Sequence, residues 1–582
     1  MGHFSVSHDL HVGDWLVEPS LCRVSQAGRT VHLRPKLIDL LEFLASNQGR
    51  VVGKDEILQR VWHGEFVVES VLGRSIADLR RVLEDDAASP SVIETIPKRG
   101  YRLIAPVREA GGPSLPPGPS IAVLPFSNLA PETEQQYFCD GLTEEITSAL
   151  SAVPGLRVIA RTSAFVFRDG AIDVREVGRR LGVSHVLEGS VRRADGELRI
   201  TVQLIDASDG CHRWSRRFDR PARGVFALQD EIARAVATVL EVTLLRDREG
   251  GRARPHTTNA EAHDSYLRGR YLFAQRTAPA LAAAAECFHR AIDQDPAYAL
   301  GYAGLAECYG HAGFLGHRPP GEAFPQAIAA ARRCLELDPA LADGHVALAV
   351  GVSLHEWKWD EAEGEFRRAI ELAPSHATAH LGYSNLLATL GRAVEAREQI
   401  EIARQLDPLS PLVQVCLAMR LGEARQFESA LQQLHATLAA NPGFGTVHLH
   451  LARMYWALDR FDEALAHLRR GPAGFPLALG LMGAVLGRLG RRREADEVIA
   501  ELSRLSTQRH VGAVPVALVY QGLGEADRAL EWYSKAFDAR EGILTELVVD
   551  PVTDVLRTDP RFTPLVERMR LPPAPGSRAG RR

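Results

Sequence analysis

Small residues recur at a fixed interval through the C-terminal half of the chain. Ala362, Ala396, Ala430 and Ala464 are 34 residues apart, and after a step of 31 to Ala495 the interval of 34 returns at Ala529. Pro374, Pro408, Pro442 and Pro476 keep the same interval, usually after an acidic or polar residue as in LDP and NP. A period of this length specifies a helical hairpin repeated along a superhelix. The Pro stops the second helix of each unit, and the small Ala lets two helices approach closely. One hairpin cannot bury its apolar face alone, so the segment must fold as a stack.

Other positions agree with this reading. Ala452 and Tyr455 fall in the first helix of one unit, Ala517, Tyr520, Gly524, Ala529 and Ala536 run across another, and Phe366, Ala369 and Pro374 close a third. The pattern resembles the tetratricopeptide repeat, and about eight repeats are expected over residues 259–570. The units ending at Pro296 and Pro339 match less well, the second carrying an insertion around GFLGHRPPGEAF. The resemblance implies a concave face that takes an extended peptide or a partner domain; the plainer reading is a passive spacer or dimerisation element. His376 and His380 are four residues apart but have no third ligand nearby, so a solvated face is expected there and no metal.

Composition narrows the classes. The 582 residues are 46% hydrophobic and 24% charged, with no apolar stretch near the ~18 residues that span a bilayer, which excludes membrane insertion and wholesale disorder. Cysteines at 22, 139, 211, 287, 308, 334 and 416 contain no CxxC pair, which argues against a disulfide framework or zinc ribbon and fits the reducing cytosol. The N-terminus lacks the basic and apolar segments of a secretory signal, so a cytoplasmic location is expected. The net charge of −5, from 68 Lys+Arg against 73 Asp+Glu, speaks against a broad nucleic-acid footprint. Pro/Gly-rich 108–120 and charged 246–258 read as linkers. They divide the chain into 1–107, 121–245 and 259–570, with a disordered tail expected at 571–582.

In the first segment, Leu37, Leu40, Leu41 and Leu44 mark a helix within 33–47, and Ile57, Leu58, Val61 and Trp62 a second from Lys54 to Trp62. A third is expected from Ser70 to Leu83. Its Leu72, Ile76, Leu79 and Leu83 form one apolar stripe, which leaves Ser70, Arg74, Ala77 and Arg81 opposite and Asp78 at the edge. Small residues permit close approach to a base edge, and Arg supplies a two-pronged donor for guanine or phosphate. Beyond it, SVIETIPKRGYRLI reads as a hairpin whose tip bears Lys98 and Arg99, suited to a phosphate or minor-groove contact.

Helix, helix, third helix and basic wing resemble the winged-helix DNA-binding domain of OmpR/PhoB-type, CadC/ToxR-like regulators. The matching residues are RPK at 34–36, GRVVGKDEIL at 49–58 with Trp62, LRRVLEDD at 79–86, Pro90, and GYRL at 100–103. The resemblance implies that helix 70–83 enters the major groove while the wing touches the backbone. Two features run against it: 1–107 carries 13 Lys+Arg and 14 Asp+Glu, and Asp78 falls where many relatives have a basic residue. An amphipathic surface helix is the plainer account of Arg74 and Arg81. GRVVGK is not a phosphate-binding loop, since three residues separate its glycines where four are needed and Asp55 replaces the hydroxyl.

The middle segment alternates strand (121–126), helix (141–153), strand, helix, a hairpin about Ala194-Asp195-Gly196, a further strand HRWSRRFD and a last helix. Its motifs AVLPFSN, YFCDGLTEEI, LRVIARTS and VLEGSVRR resemble a TolB-N-terminal/FlgO-like domain found after CadC-like winged helices. Asp140 is expected to cap the helix, with Glu144 and Glu145 in its first turn complementing the dipole, and Cys139, lacking a His partner, to be a buried small residue.

The expected fold class is therefore multidomain α+β: winged helix-turn-helix, small α/β domain, then an all-α tetratricopeptide superhelix. The function expected is that of a sequence-specific transcriptional regulator with Ser70, Arg74, Ala77, Asp78 and Arg81 in the recognition helix and Lys98 and Arg99 in the wing. No catalytic residue, cofactor or metal is expected. Partners expected are double-stranded promoter DNA, a protein or peptide on the repeats, and RNA polymerase as a further candidate, with a homodimer as a candidate assembly on DNA. The alternative is a protein-interaction scaffold whose winged helix no longer binds DNA.

Overall fold

The computed structural model describes residues 10–571 apart from 14, 19–22, 27–28, 63–68, 87–89, 98, 110–117, 130–135, 169–172, 195–196, 222–227, 241–255, 473 and 558. The chain forms two compact units, Met1–Ser114 and Leu115–Arg582.

The first unit opens on strands that the sequence reading did not anticipate: β1 (Leu10–Val12), β2 (Trp15–Glu18), β3 (Arg23–Gln26) and β4 (Arg29–His32). Val12, Trp15, Val17 and Val24 are each at most 3% exposed, so these short strands bury one face. The helices are α1 (Pro35–Ala45), α2 (Lys54–Val61), which follows the short strand β5 (Val52–Gly53), and α3 (Glu69–Leu83). Pro35 at the first helical position fixes the start of α1 after an extended Arg34. The α3 stripe is buried as its spacing requires: Leu72, Ile76, Leu79 and Leu83 are 1%, 2%, 0% and 3% exposed, each contributing about 1.5–3 kcal/mol.

The wing is the antiparallel pair β6 (Ile93–Ile96) and β7 (Gly100–Leu103), with Ile93 opposite Leu103 and Ile96 opposite Gly100. β7 also pairs with β5, and β8 (Val107–Glu109) closes the first sheet in the order β4-β3-β2-β1-β8. Gly100 has φ +144°, and a Cβ there would lie 1.9 Å from the Val52 carbonyl oxygen. The glycine of GYRL is thus required by the approach of β5.

The second unit begins with an α/β module: β9 (Ser120–Val123), β10 (Ser127–Asn128), α4 (Gln136–Ser151), β11 (Arg157–Val158), α5 (Arg161–Ala164), α6 (Val174–Leu181), β12 (His185–Ala194), β13 (Glu197–Asp206), β14 (His212–Pro221) and α7 (Leu228–Val239). β11, β9 and β12 are parallel, and β12, β13 and β14 continue antiparallel. Asp195 and Gly196 of the expected hairpin turn lie outside the described residues. Because α4 starts at Gln136, Asp140 is not a helix cap, and Glu144 and Glu145 are not in a first turn. Asp140 is buried, where it accepts from Gln136 Nε2 at 2.8 Å and from Arg168 at 2.6 Å.

Eight helical hairpins follow among the described residues, from Ala260–Phe273 with Ala278–Gln294 to Val514–Gly522 with Ala526–Asp538. Ala362, Ala396, Ala430, Ala464, Ala495 and Ala529 are all 0% exposed, so the periodic small residue marks the closest helix contacts. Pro374, Pro408 and Pro442 follow the second helices ending at Leu372, Leu406 and Ala440. Pro476 departs from this role. The helix before it, Phe461–Leu468, has only 8 residues, and Pro476 instead opens Pro476–Arg488 at the position where a missing N–H costs nothing. First helices of most neighbouring repeats touch one another along the stack.

The array does not run to residue 570. After Asp538 the chain turns back against the repeats: Arg540 Nη1 donates to the His355 carbonyl (3.1 Å), Thr389 Oγ1 to the Thr545 carbonyl (3.1 Å), Arg453 Nη1 to Glu546 (3.1 Å), and Trp359 Nε1 to the Met569 carbonyl (2.7 Å).

The α/β module and the repeats share one core. Ser375 Oγ donates to the Leu156 carbonyl (2.9 Å) and accepts from Val158 N (3.2 Å), Ala160 N donates to the Leu406 carbonyl (2.8 Å), and Ser163 Oγ donates to Asp407 (2.6 Å). Gly141 of α4 lies against Leu267 of the first repeat, whose side chain a Cβ there would meet at 2.5 Å. Most of the expected linker 246–258 lies outside the described residues.

Candidate nucleic-acid interface

The apolar stripe of α3 turns the opposite side outward. Ser70, Arg74, Ala77 and Arg81 are exposed, together with Gly73, and Asp78 is half-buried at the edge. Arg74 has no partner among the described residues, whereas Arg81 forms an ion pair with Asp78 one turn back. In the wing, Arg99 is exposed and its backbone N–H donates to the Ile96 carbonyl at 3.0 Å, which shapes the tip. Lys98 lies outside the described residues.

Two residues not singled out from the sequence hold this surface together. Arg80, next to Arg81 but turned the other way, donates from Nη2 to the Ile93 carbonyl (2.6 Å) and to Thr95 Oγ1 (2.9 Å), tying α3 to β6. The Asp85 side chain is fully buried; it accepts the backbone N–H groups of Ser91 (2.6 Å), Val92 (2.9 Å) and Ile93 (2.9 Å), with Arg80 Nε 3.6 Å away. Burial pushes the Asp85 carboxyl upward, but the N–H groups of Ile93, Val92 and Ser91 and the Ser91 hydroxyl outweigh it and hold the carboxyl below its ordinary value. Trp15 Nε1 donates to the Leu83 carbonyl (3.1 Å) and Lys36 Nζ to the Val61 carbonyl (2.8 Å), satisfying orphan carbonyls at the ends of α3 and α2. The outward face of α3 therefore stands on a hydrogen-bonded frame that fixes the wing to the C-terminal end of α3.

The remaining candidates have structural partners. His376 and His380 do not form a solvated face: His376 Nε2 meets Asp343 (2.9 Å), and buried His380 meets Gln399 (2.7 Å) and the Pro374 carbonyl (3.1 Å). Glu144 pairs with Arg270 (2.9 Å) and Glu145 with His263 (2.7 Å), both across the seam with the repeats. Cys139 is buried, and burial together with Asp140 pushes its thiol up to about 12. Among the described residues no group of three His, Cys, Asp or Glu could hold a metal ion, and no helix is long and apolar enough to cross a membrane.

Comparison with known proteins follows the same divisions. Residues 28–103 match the family described as transcriptional regulatory protein, C terminal, and residues 118–235 the HilA/YgeH-like transcriptional regulator, second domain. Residues 358–411 and 423–489 match tetratricopeptide repeat families. "Putative adenylate cyclase 3" of Rhizobium meliloti (strain 1021) is 40% identical over 255 residues, 43% of this chain and 43% of that protein. Transcriptional activator CadC of Escherichia coli (strain K12) is 46% identical over 99 residues, 17% of this chain and 19% of CadC. Transcriptional regulator HilA of Salmonella typhi is 25% identical over 387 residues, 65% of this chain and 67% of HilA. The chain thus spans less than half the length of the first two. The likeness of the middle segment to TolB-N-terminal and FlgO domains gains no support from these matches, which liken it to the second domain of HilA/YgeH-like regulators. Segment by segment, then, the chain joins a winged helix similar to the OmpR/PhoB type, a second domain similar to that of HilA/YgeH-like regulators and tetratricopeptide repeats, and over the matched residues it is similar to CadC- and HilA-like transcriptional regulators.

Proposed function

We propose that this chain is a cytoplasmic, sequence-specific DNA-binding transcriptional regulator whose second unit receives the signal. The observation that carries the reading is the outward face of α3, where Ser70, Gly73, Arg74, Ala77 and Arg81 are exposed beside a wing locked in place by Arg80 and Asp85. Small residues between two arginines let the helix approach base edges while the guanidinium groups donate. Arg99, with Lys98, supplies the backbone contact that sets register. With a net charge of −5, non-specific attraction is weak, so two winged helices on adjacent half-sites supply the affinity that bulk charge does not. RNA polymerase and a protein bound to the repeats are the partners such a regulator needs.

No catalytic step is assigned. The cyclase name belongs to a relative of which this chain covers 43%. Glu144 and Glu145 are engaged in ion pairs, and the Cys139 thiol is held protonated.

Binding titrations with the full chain on a specific DNA site test the proposal. Arg74→Ala and Arg81→Ala are each expected to lose roughly 1–3 kcal/mol, Arg81 toward the lower end because it must leave Asp78. Lys98→Ala should weaken all sequences alike and reduce the salt slope by about one. A double Arg74→Ala/Arg81→Ala variant that binds like the parent would sink the assignment.

A further inference from the structure

Gly73 lies inside the 15-residue helix α3, where glycine is the least favourable residue after proline. A fold keeps a glycine in such a place for a left-handed backbone, for close packing or for a helix end, and none of these holds here. Its backbone is outside the left-handed region. A Cβ built on it would meet nothing within 4 Å, whereas one on Gly141 of α4 would lie 2.5 Å from Leu267 and one on Gly100 of the wing 1.9 Å from the Val52 carbonyl oxygen. Nor does it end the helix, which continues to Leu83. A residue that the fold does not require to be bare is free to be bare for a contact from outside.

The surface around Gly73 gives that contact its chemistry. At about 100° per residue the exposed residues of α3 follow one another around the axis: Gly73, then Ala77 about 40° on, Ser70 at about 60°, Arg81 at about 80° and Arg74 at about 100°. One flank of the outward face is therefore bare backbone and a methyl group, and the other carries both guanidinium groups. Gly364, inside the repeat helix Trp359–Leu372, is equally exposed and uncrowded, so freedom alone marks no contact. Gly73 differs in standing beside Arg74, on the face opposite the buried stripe.

A glycine Cα and an alanine methyl offer neither donor nor acceptor. A polar base edge pressed against them would lose its water without gaining a partner. Among the groups that base pairs display in the major groove, the apolar one is the thymine methyl. We propose that Gly73 is a specificity-determining residue of α3: with Ala77 one turn on, it forms a shelf that seats a thymine methyl against the helix, while Arg74 and Arg81 reach past the other flank. A β-carbon on residue 73 would take the place of that methyl. The inference rests on the DNA-binding reading of α3 and adds which base group is recognised and by which residue.

Duplexes selected from a random library by the full chain supply the probe, on which Gly73→Ala is compared with the parent. In the free variant, protection of the α3 amides from hydrogen exchange should rise about fivefold, the ~1 kcal/mol by which Ala exceeds Gly within a helix. Affinity for the selected site should nevertheless fall at least about tenfold, a difference of ~1.4 kcal/mol. Replacing one thymine of the site by deoxyuridine, which removes only the methyl, should weaken the parent about fourfold, or ~0.8 kcal/mol, and leave Gly73→Ala unaffected. Gly364→Ala should bind as the parent does. The inference alone is overturned if Gly73→Ala binds the site as tightly as the parent, if no thymine responds to deoxyuridine, or if Gly364→Ala weakens binding equally. Lost protection of α3 in Gly73→Ala also overturns it, since the fold itself would then need the glycine. A parent that selects no site overturns the DNA-binding reading and this inference with it.

Discussion

Neighbouring arginines on α3 have opposite fates. Arg80 is drawn into the frame by the Ile93 carbonyl and Asp85, whereas Arg81 is left on the surface with Asp78. The faces of α3 were legible in the sequence because a period of 3.6 separates buried from exposed positions without further information. The role of Asp85 was not, because its partners are backbone N–H groups six to eight residues away, placed by a loop whose course no local pattern specifies. Its depressed carboxyl has a consequence with a definite sign. A carboxylate favoured in the fold contributes stability above its ordinary range and loses it as pH falls through its folded value. Asp85→Asn should therefore cost the wing about 1.5–3 kcal/mol at neutral pH, and the cost should shrink on acidification. Hydrogen exchange at the Val92 and Ile93 amides measures it; equal protection in parent and variant at neutral pH would contradict this role.

At the scale of elements, the periodic array was readable because each alanine of the 34-residue clock marks a helix contact. Helix α4 was misread at its start, since Asp140 looks like a cap when read along the chain and is instead a buried partner of Arg168. The four strands before α1 escaped notice because each is only 3 or 4 residues long, and of their buried Val12, Trp15, Val17 and Val24 only Trp15 and Val17 stand two apart, too short a run for alternation to show. The seam between α4 and the first repeat was invisible in the sequence, because Gly141 and Leu267 meet only through tertiary packing. Gly141→Ala tests that seam. Helix propensity alone favours Ala by about 1 kcal/mol, but overpacking against Leu267 should reverse the sign and destabilise by about 1–3 kcal/mol. Adding Leu267→Ala should recover part of the loss in a double-mutant cycle of melting measurements. Additive losses would show that the two side chains do not compete for the same space.

For the whole molecule, the repeats were expected to present an open concave face, and the segment after Asp538 changes that. Residues 540–569 bond to the repeats at His355, Trp359, Thr389 and Arg453, so these positions are satisfied within the chain. Deleting 541–571 should lower the melting temperature of the second unit and shift tryptophan emission to the red as Trp359 loses the Met569 carbonyl. An unchanged melt would show that the segment contributes nothing to the array. The overall charge of −5 conceals the division that matters for function: the groups assigned to DNA are the few on α3 and the wing, and the carboxylates of the second unit are largely committed to ion pairs. Affinity must come from local geometry. Selection of bound sequences from a random double-stranded DNA library by the full chain tests this claim most directly. The account predicts that one motif is enriched by the parent and lost in the Arg74→Ala/Arg81→Ala variant. No enrichment over a protein-free control, or the same motif recovered by the variant, would contradict it.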